Sequence, residues 1–136
     1  MADNCFKLKV FSPNRIFYED DVEMIELTTT DGDMGIYKNH IPLTAIVAPG
    51  ILRIHKNSEV KEATLVEGFL QILPDEVIVL SEACEWPWEI DVHRAEEAKI
   101  RAERRISSSD MNINLDRAEI ALKKSLIRLS LAQKGK

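Results

Sequence analysis

The sequence predicts a β+α protein, an N-terminal antiparallel β-sandwich followed by a C-terminal antiparallel α-helical hairpin. Three observations predict it. Short two-residue alternations recur through the first part of the 136 residues, and clusters of turn formers separate them. After Trp86-Pro87-Trp88 proline disappears, and glycine returns only at Gly135. The domains expected are 1–88, a sandwich, and 89–136, a hairpin.

The sandwich elements follow from local pattern. Phe6-Lys7-Leu8-Lys9-Val10 alternates strictly, and Leu52-Arg53-Ile54-His55 and Glu76-Val77-Ile78-Val79-Leu80 are short runs rich in β-branched residues. Ser12-Pro13-Asn14, Asp31-Gly32-Asp33, Ala48-Pro49-Gly50, Lys56-Asn57-Ser58 and Leu73-Pro74-Asp75 supply the turns. Many short strands at close intervals indicate a sandwich or barrel.

The hairpin follows from composition. Asp91 to Ile106 is rich in Ala, Arg, Glu and Lys, all good helix formers. Ser107-Ser108-Ser109-Asp110 breaks that helix, and Asn112 or Asn114 caps a second. In the second, Leu115, Ala118, Leu122, Ser125, Leu129 and Ala132 recur at spacings of three and four. Ala95, Ala98 and Ala102 form the matching stripe on the first helix. A buried CH₂ contributes roughly 0.8 kcal/mol, so a seam of alanines buries little. Ordering a residue costs on the order of 1–2 kcal/mol. The hairpin is therefore expected to be weakly held on the sandwich; a permanently docked hairpin is the alternative.

Charge is split between the two parts. Met1 to Trp88 carries seven basic and fifteen acidic residues, and Glu89 to Lys136 eleven basic and eight acidic. The halves are thus expected to meet different partners. The overall charge of −5 argues against nucleic acid, which needs a basic face. Met1-Ala2-Asp3-Asn4 lacks the features of a signal peptide, and no apolar run approaches the roughly 20 residues of a membrane helix. Cys5 and Cys84 are too few for a disulfide framework, which suits a reducing compartment.

No catalytic constellation stands out. His40, His55 and His93 are scattered without metal-ligand spacing. Asp31-Gly32-Asp33 lacks the later ligands of a calcium loop. No glycine-rich phosphate loop is present. One polar cluster remains. Arg94 and Arg101 are seven apart on one helix face, with Asp91 three before Arg94, and Lys124 and Arg128 share a face of the second helix. A turn near Asp110 to Met111 places Arg94 roughly opposite Arg128. Cations across a seam repel unless an anion lies between them. Two readings follow: a polyanion site, such as one for a nucleoside triphosphate, or a solvated face with ordinary pairs at Glu97–Arg101 and Glu119–Lys123.

Three stretches together resemble the ATP synthase epsilon family. Tyr18-Glu19-Asp20-Asp21-Val22 leads into Asp31-Gly32-Asp33-Met34-Gly35-Ile36 and His40-Ile41-Pro42-Leu43, similar to that family's G-E-L-G-I…H-x-P-L region. Glu67-Gly68-Phe69-Leu70 before Pro74 resembles its G-G-F-L-E-V-x-P hairpin. Ile90-Asp91-Val92-His93-Arg94-Ala95 fits the [IL]-D-x-x-R-A motif of members that bind ATP. Lys38-Asn39 replaces the usual Pro-Gly, and Glu67 the first glycine of Gly-Gly-Phe.

The resemblance implies a non-catalytic subunit of the central rotor stalk. It needs no cofactor and lies on the cytoplasmic face of the membrane, tied to it only through the complex. The sandwich is expected to bind the gamma subunit and rest on the c-ring, with Asp31, Asp33 and His40 at the ring contact. The hairpin is expected to extend into the alpha/beta head and restrain hydrolysis, with Lys123, Lys124 and Arg128 meeting an acidic segment of a beta subunit. ATP is implied as a regulatory ligand that holds the hairpin down, contacted by Glu85, Ile90, Asp91, Arg94, Ala95, Arg101, Lys124 and Arg128. Lys124 stands where known binders carry arginine, so weaker binding is expected, since an ammonium cannot fork onto phosphate. A free-standing nucleotide-sensing module is the alternative function.

Overall fold

Alternation along the strands decides which side chains go inward. In the computed structural model, which describes residues 4–108 and 114–134, β1 (Phe6–Ser12) buries Phe6, Leu8 and Val10 and turns Lys7 and Lys9 outward. The same rule places Ile25, Leu27 and Thr29 of β3 (Met24–Thr29) inside, with Leu52 and Ile54 of β6 (Gly50–Lys56) and Val77 and Val79 of β9 (Glu76–Ser81). The remaining strands are β2 (Arg15–Val22), β4 (Gly32–Tyr37), β5 (Leu43–Val47), β7 (Glu59–Leu65), β8 (Gly68–Ile72) and the short β10 (Cys84–Glu85). Each of the five expected turns falls between consecutive strands.

The strands form two layers. One runs β5-β8-β9-β1-β2 and the other β10-β7-β6-β3, with β4 on the far side of β3. The layers join where Thr29 pairs with Val47. All pairs are antiparallel except β1 with β9, which run parallel. These two strands are far apart in sequence, so closure of the sandwich rather than a hairpin sets their direction. One core fills the interior, and its fully buried members include Leu8, Ile25, Leu52, Leu65 and Leu70.

Gly68 marks the tightest approach between strands. A Cβ there would lie 1.8 Å from the Leu80 carbonyl oxygen. Only a residue without a side chain lets β8 begin against the end of β9. The adjacent turns are tied down by the buried Ser81, whose hydroxyl accepts from Val66 N–H at 3.0 Å and donates to the Ala83 carbonyl at 2.9 Å.

After β10, Trp86 turns the chain into a single 3-10 turn, Pro87–Glu89. Trp86 stacks on Phe17 at 4.4 Å and on Trp88 at 5.6 Å, so it plugs the junction while Trp88 stays 78% exposed. Glu89 fixes the turn by accepting from Trp86 N–H at 2.9 Å and from Arg15 at 2.7 Å. Two helices follow, α1 (Val92–Ser107) and α2 (Leu115–Lys134). Asn114 caps α2, accepting from Arg117 N–H at 3.2 Å, whereas Asn112 and the expected turn at Asp110 to Met111 lie outside the described residues.

The helical seam is made of small side chains. Ala95 and Ala102 of α1 and Ala118, Ser125 and Ala132 of α2 are buried, while Leu115, expected in the same seam, is half exposed. The helices touch through alanine, as the spacing predicted. A second contact, absent from that expectation, holds the hairpin to the sandwich. Leu131 is 0% exposed and packs with Ile90, Ala132, Ile51 and Val92. Ile51 projects from the outer face of β6, so α2 covers that face of the sandwich. Burying a leucine contributes roughly 1.5–3 kcal/mol, which anchors α2 more firmly than alanines alone.

Candidate functional site

The motif Ile90-Asp91-x-x-Arg94-Ala95 lies where the chain leaves the sandwich for α1. Three of its four residues have structural tasks. Ile90 fills the cluster around Leu131. Asp91 caps α1, its carboxylate accepting from Arg94 N–H at 3.0 Å and its carbonyl from Ala95 N–H at 3.0 Å. A carboxylate is doubly suited to that position, since it satisfies an orphan donor and complements the helix dipole. Ala95 is buried in the seam. Arg94 alone has no such task, and its side chain is exposed.

The cations of the two helices fall into two sets. Arg94 and Arg101 of α1 are exposed, and among the described residues neither side chain has an ion-pair partner. Lys124 and Arg128 of α2 face the sandwich and are already engaged. Arg128 donates from Nε to Glu85 at 2.6 Å, and Lys124 lies 3.2 Å from a Glu67 carboxylate oxygen. Lys123, their neighbour, is exposed. The expected forward pair from Glu97 to Arg101 is replaced by a backward one, with Glu97 at 2.9 Å from His93.

Two clefts lie where the hairpin meets the sandwich, one at the Arg105–Arg117 end of the helices and one beside Trp86. The larger, about 830 Å³, separates α2 from the sandwich lip and is lined by Glu67, Glu82, Arg105, Arg117 and Lys124. The other, about 490 Å³, is aromatic and apolar, with Tyr18, Val60, Trp86, Trp88 and Leu131 in its wall. Of the eight residues expected at a nucleotide, Lys124 alone lines either. The cations suit a polyphosphate. A phosphate that reaches Lys124 or Arg128 here shares the cation with Glu67 or Glu85, and the guanidinium nitrogens of Arg128 other than Nε are left for it.

The expected ring-contact residues are spread along one edge strand. Asp31 and Asp33 sit at the β3–β4 turn, where Asp33 accepts from the Thr28 hydroxyl at 2.8 Å and Asp31 N–H donates to Thr29 Oγ1 at 3.2 Å. His40 lies beyond the other end of β4, its N–H donating to the Tyr37 carbonyl at 3.3 Å. Six residues of strand separate the two ends, roughly 17–20 Å at about 3.3 Å per residue. A contact using all three therefore lays the length of β4 on its partner.

A further surface was not visible as a motif. Cross-strand register lines up Ile46 with Phe69, Phe69 with Leu80, Leu80 with Phe11 and Phe11 with Ile16. Ile16, Ile46, Phe69 and Leu80 are each about half exposed. The result is an apolar row across five strands, on the layer that does not carry α2. Contiguous exposed apolar side chains of this kind make the row a candidate interaction surface. Each member looks like an ordinary strand residue in sequence; pairing alone assembles them.

Glu67, Glu82, Arg105, Arg117 and Leu131 were also not singled out as site residues. Lys124, Arg128 and Leu131 recur at spacings of four and three, a second stripe beside the seam, and that was the available signal. No helix of the described residues is long and apolar enough to cross a membrane.

The sequence model for the beta-sandwich domain of the ATP synthase Delta/Epsilon chain matches residues 5–87, and that for its long alpha-helix domain residues 89–133. The chain is 47% identical over 133 residues to the ATP synthase epsilon chain of Caldanaerobacter subterraneus subsp. tengcongensis, covering 97% of this chain and 96% of that one. It is 42% identical over 131 residues to that of Caldicellulosiruptor bescii, covering 96% of each. Its fold matches a chain of the Euglena gracilis mitochondrial ATP synthase OSCP/F1/c-ring structure with a TM-score of 0.81, at 22% identity, over 95% of this chain and 81% of that one. A chain from the Tetrahymena thermophila mitochondrial ATP synthase central stalk and c-ring gives 0.60 at 15% identity, over 96% of this chain and 95% of that one. The identity, the coverage and the order of sandwich and hairpin agree: this chain belongs to the ATP synthase Delta/Epsilon chain family.

Proposed function

We propose that this chain is the epsilon subunit of an F-type ATP synthase, a non-catalytic part of the central stalk that couples the gamma subunit to the c-ring during proton-driven ATP synthesis. The observation that carries this reading is the near full-length match to relatives named as epsilon chains. The solved chains of the same fold come from a central stalk and c-ring and from an OSCP/F1/c-ring assembly. In this reading residues 1–88 form the rotor-binding domain and 89–136 the regulatory one. The apolar row from Ile16 to Ile46 docks the gamma subunit, and the β4 edge with Asp31, Asp33 and His40 faces the c-ring. The protein is peripheral, held at the cytoplasmic face of the membrane by these partners.

The hairpin is the regulatory element. Extended toward the alpha/beta head, α2 brings Lys123, Lys124 and Arg128 to an acidic segment of a beta subunit and restrains hydrolysis. Folded down, it is held by Leu131, by the two ion pairs and by ATP bound among Glu85, Ile90, Asp91, Arg94, Ala95, Arg101, Lys124 and Arg128. A ligand that binds only the folded-down state stabilises it by about 2.7 kcal/mol at a hundredfold excess over Kd.

Co-purification with the gamma subunit tests the reading. The parent chain is expected to bring gamma with it, and Phe69→Asp or Leu80→Asp to lose it without unfolding, since both side chains are already half in water. A parent chain that ignores gamma but binds ATP would instead indicate a free-standing nucleotide sensor. Removing residues 91–136 is expected to raise hydrolysis by the assembled complex while leaving coupling intact.

A further inference from the structure

We infer that Glu67 and Lys124 form a nucleotide-independent clasp that holds α2 on the sandwich and keeps its cationic face covered. This rests on the reading that the hairpin leaves the sandwich to regulate the motor.

The carboxylate is presented from a rigid base. Glu67 lies between β7 and β8, immediately before Gly68, whose contact with Leu80 admits no side chain. Its carbonyl accepts from Glu82 N–H at 2.9 Å, and the preceding Val66 is tied to Ser81. The two turns are thereby locked side by side, and Glu67 and Glu82 form an acidic lip. The backbone of Glu67 is thus fixed, while its side chain is 46% exposed and must still be ordered by the pairing.

The opposite wall of the cleft is basic. Arg105 near the end of α1, Arg117 in the first turn of α2, and Lys124 two turns further line the space that Glu67 and Glu82 line from below. Lys124 makes the direct contact at 3.2 Å. One helical turn further along, Arg128 meets Glu85. Sandwich carboxylates thus cover α2 at two successive turns, in keeping with the acidic first part of the chain and the basic second part.

The clasp and a nucleotide both hold the hairpin down, and they compete for the same Lys124 ammonium. Phosphate oxygens approaching Lys124 through the cleft compete with the Glu67 carboxylate for its ammonium, and the charge of Glu67 and Glu82 offsets part of the attraction of Arg105 and Arg117. The clasp therefore holds the hairpin when no nucleotide is bound and weakens the binding of any that enters by this route. The cleft is open enough for water and salt, so the hold weakens as ionic strength rises, with screening over about 8 Å at 0.15 M.

Hydrogen exchange of the full, nucleotide-free chain tests this. Glu67→Lys and Lys124→Glu are each expected to speed exchange of α2 amides roughly two- to fivefold. The charge-swapped double variant is expected to return to within about twofold of the parent, with strands β6 and β8 unchanged throughout. Glu67→Gln is expected to speed α2 exchange less than Glu67→Lys, and it keeps the test valid if the reversal disturbs the turn. Unchanged α2 protection in the single variants, or no recovery in the double, overturns the clasp. The same samples titrated with ATP separate the two ideas. Protection that responds to ATP but not to charge at Glu67 removes the clasp and leaves nucleotide regulation; protection that responds to Glu67 but not to ATP does the reverse.

Discussion

Arg128 and Glu85, both expected at one bound nucleotide, bind each other: the Arg128 Nε–H donates to the Glu85 carboxylate at 2.6 Å. A guanidinium paired with a carboxylate keeps its other donors available in a fixed plane. Glu85 thus orients Arg128 in this docked hairpin, as the proposed nucleotide site requires.

The role of Arg128 in nucleotide binding is open to a direct test. Arg128→Ala is expected to lower the ATP affinity of the free chain about tenfold, roughly 1.4 kcal/mol. Arg128→Lys is expected to recover little of it, because an ammonium lacks the fork. Titration calorimetry reads both. Equal affinity in parent and alanine variant places the nucleotide away from α2.

Leu131 should control docking without controlling the sandwich. It is fully buried between α2 and the outer face of β6. Leu131→Ala is expected to weaken hairpin docking by about 2–5 kcal/mol. Limited proteolysis is expected to cut α2 sooner, while thermal unfolding of the β-strands changes little. A sandwich that loses stability in step would show the two parts to fold as one unit.

Acid should loosen the junction through Glu89. Its hydrogen bond from Arg15 holds the Glu89 carboxyl below the ordinary 4.5, with the Trp86 N–H acting in the same direction. For a carboxyl lowered on folding, the stabilisation is complete above the unfolded value and is lost as pH falls through the folded one. Asp20, lowered by Lys56, behaves alike from its ordinary 3.8. The parent chain should therefore lose stability below about pH 4.5, and Arg15→Ala should lose less between about pH 5 and 3. Melting curves across that range decide it; parallel losses would remove Arg15 as the cause.

The two thiols should differ in reactivity. Burial pushes the Cys84 thiol up to about 11, partly offset by a hydrogen bond involving Ser81. Cys5 is only partly buried. At about pH 8 an alkylating reagent is expected to modify Cys5 and spare Cys84 until the chain unfolds, because the thiolate is the reacting form. Mass spectrometry of the native protein checks it, and rapid labelling of Cys84 would mean that β10 opens readily.

What could be read from sequence was what depends on neighbours along the chain. The alternation of Phe6 to Val10, the turns and the alanine stripe at Ala95 and Ala102 are local, and they appear as expected. The parallel pairing of β1 with β9 is not local, and nothing in either strand announces it. The same holds for the apolar row, whose members come from five strands. Leu131 escaped because the alanine seam runs through Ala132, one residue on and about 100° around the helix. The Ile90 to Ala95 motif was visible as a string. Its division into a core residue, a helix cap, a seam residue and one solvent-facing arginine required coordinates.

A hairpin that swings away carries Leu131 with it and strips the cover from Ile51 and Ile90. Both halves of that broken contact then face water. In the proposed regulatory role, the surface that receives α2 must offer a dry socket for one leucine as well as acidic side chains, and this narrows where α2 can seat.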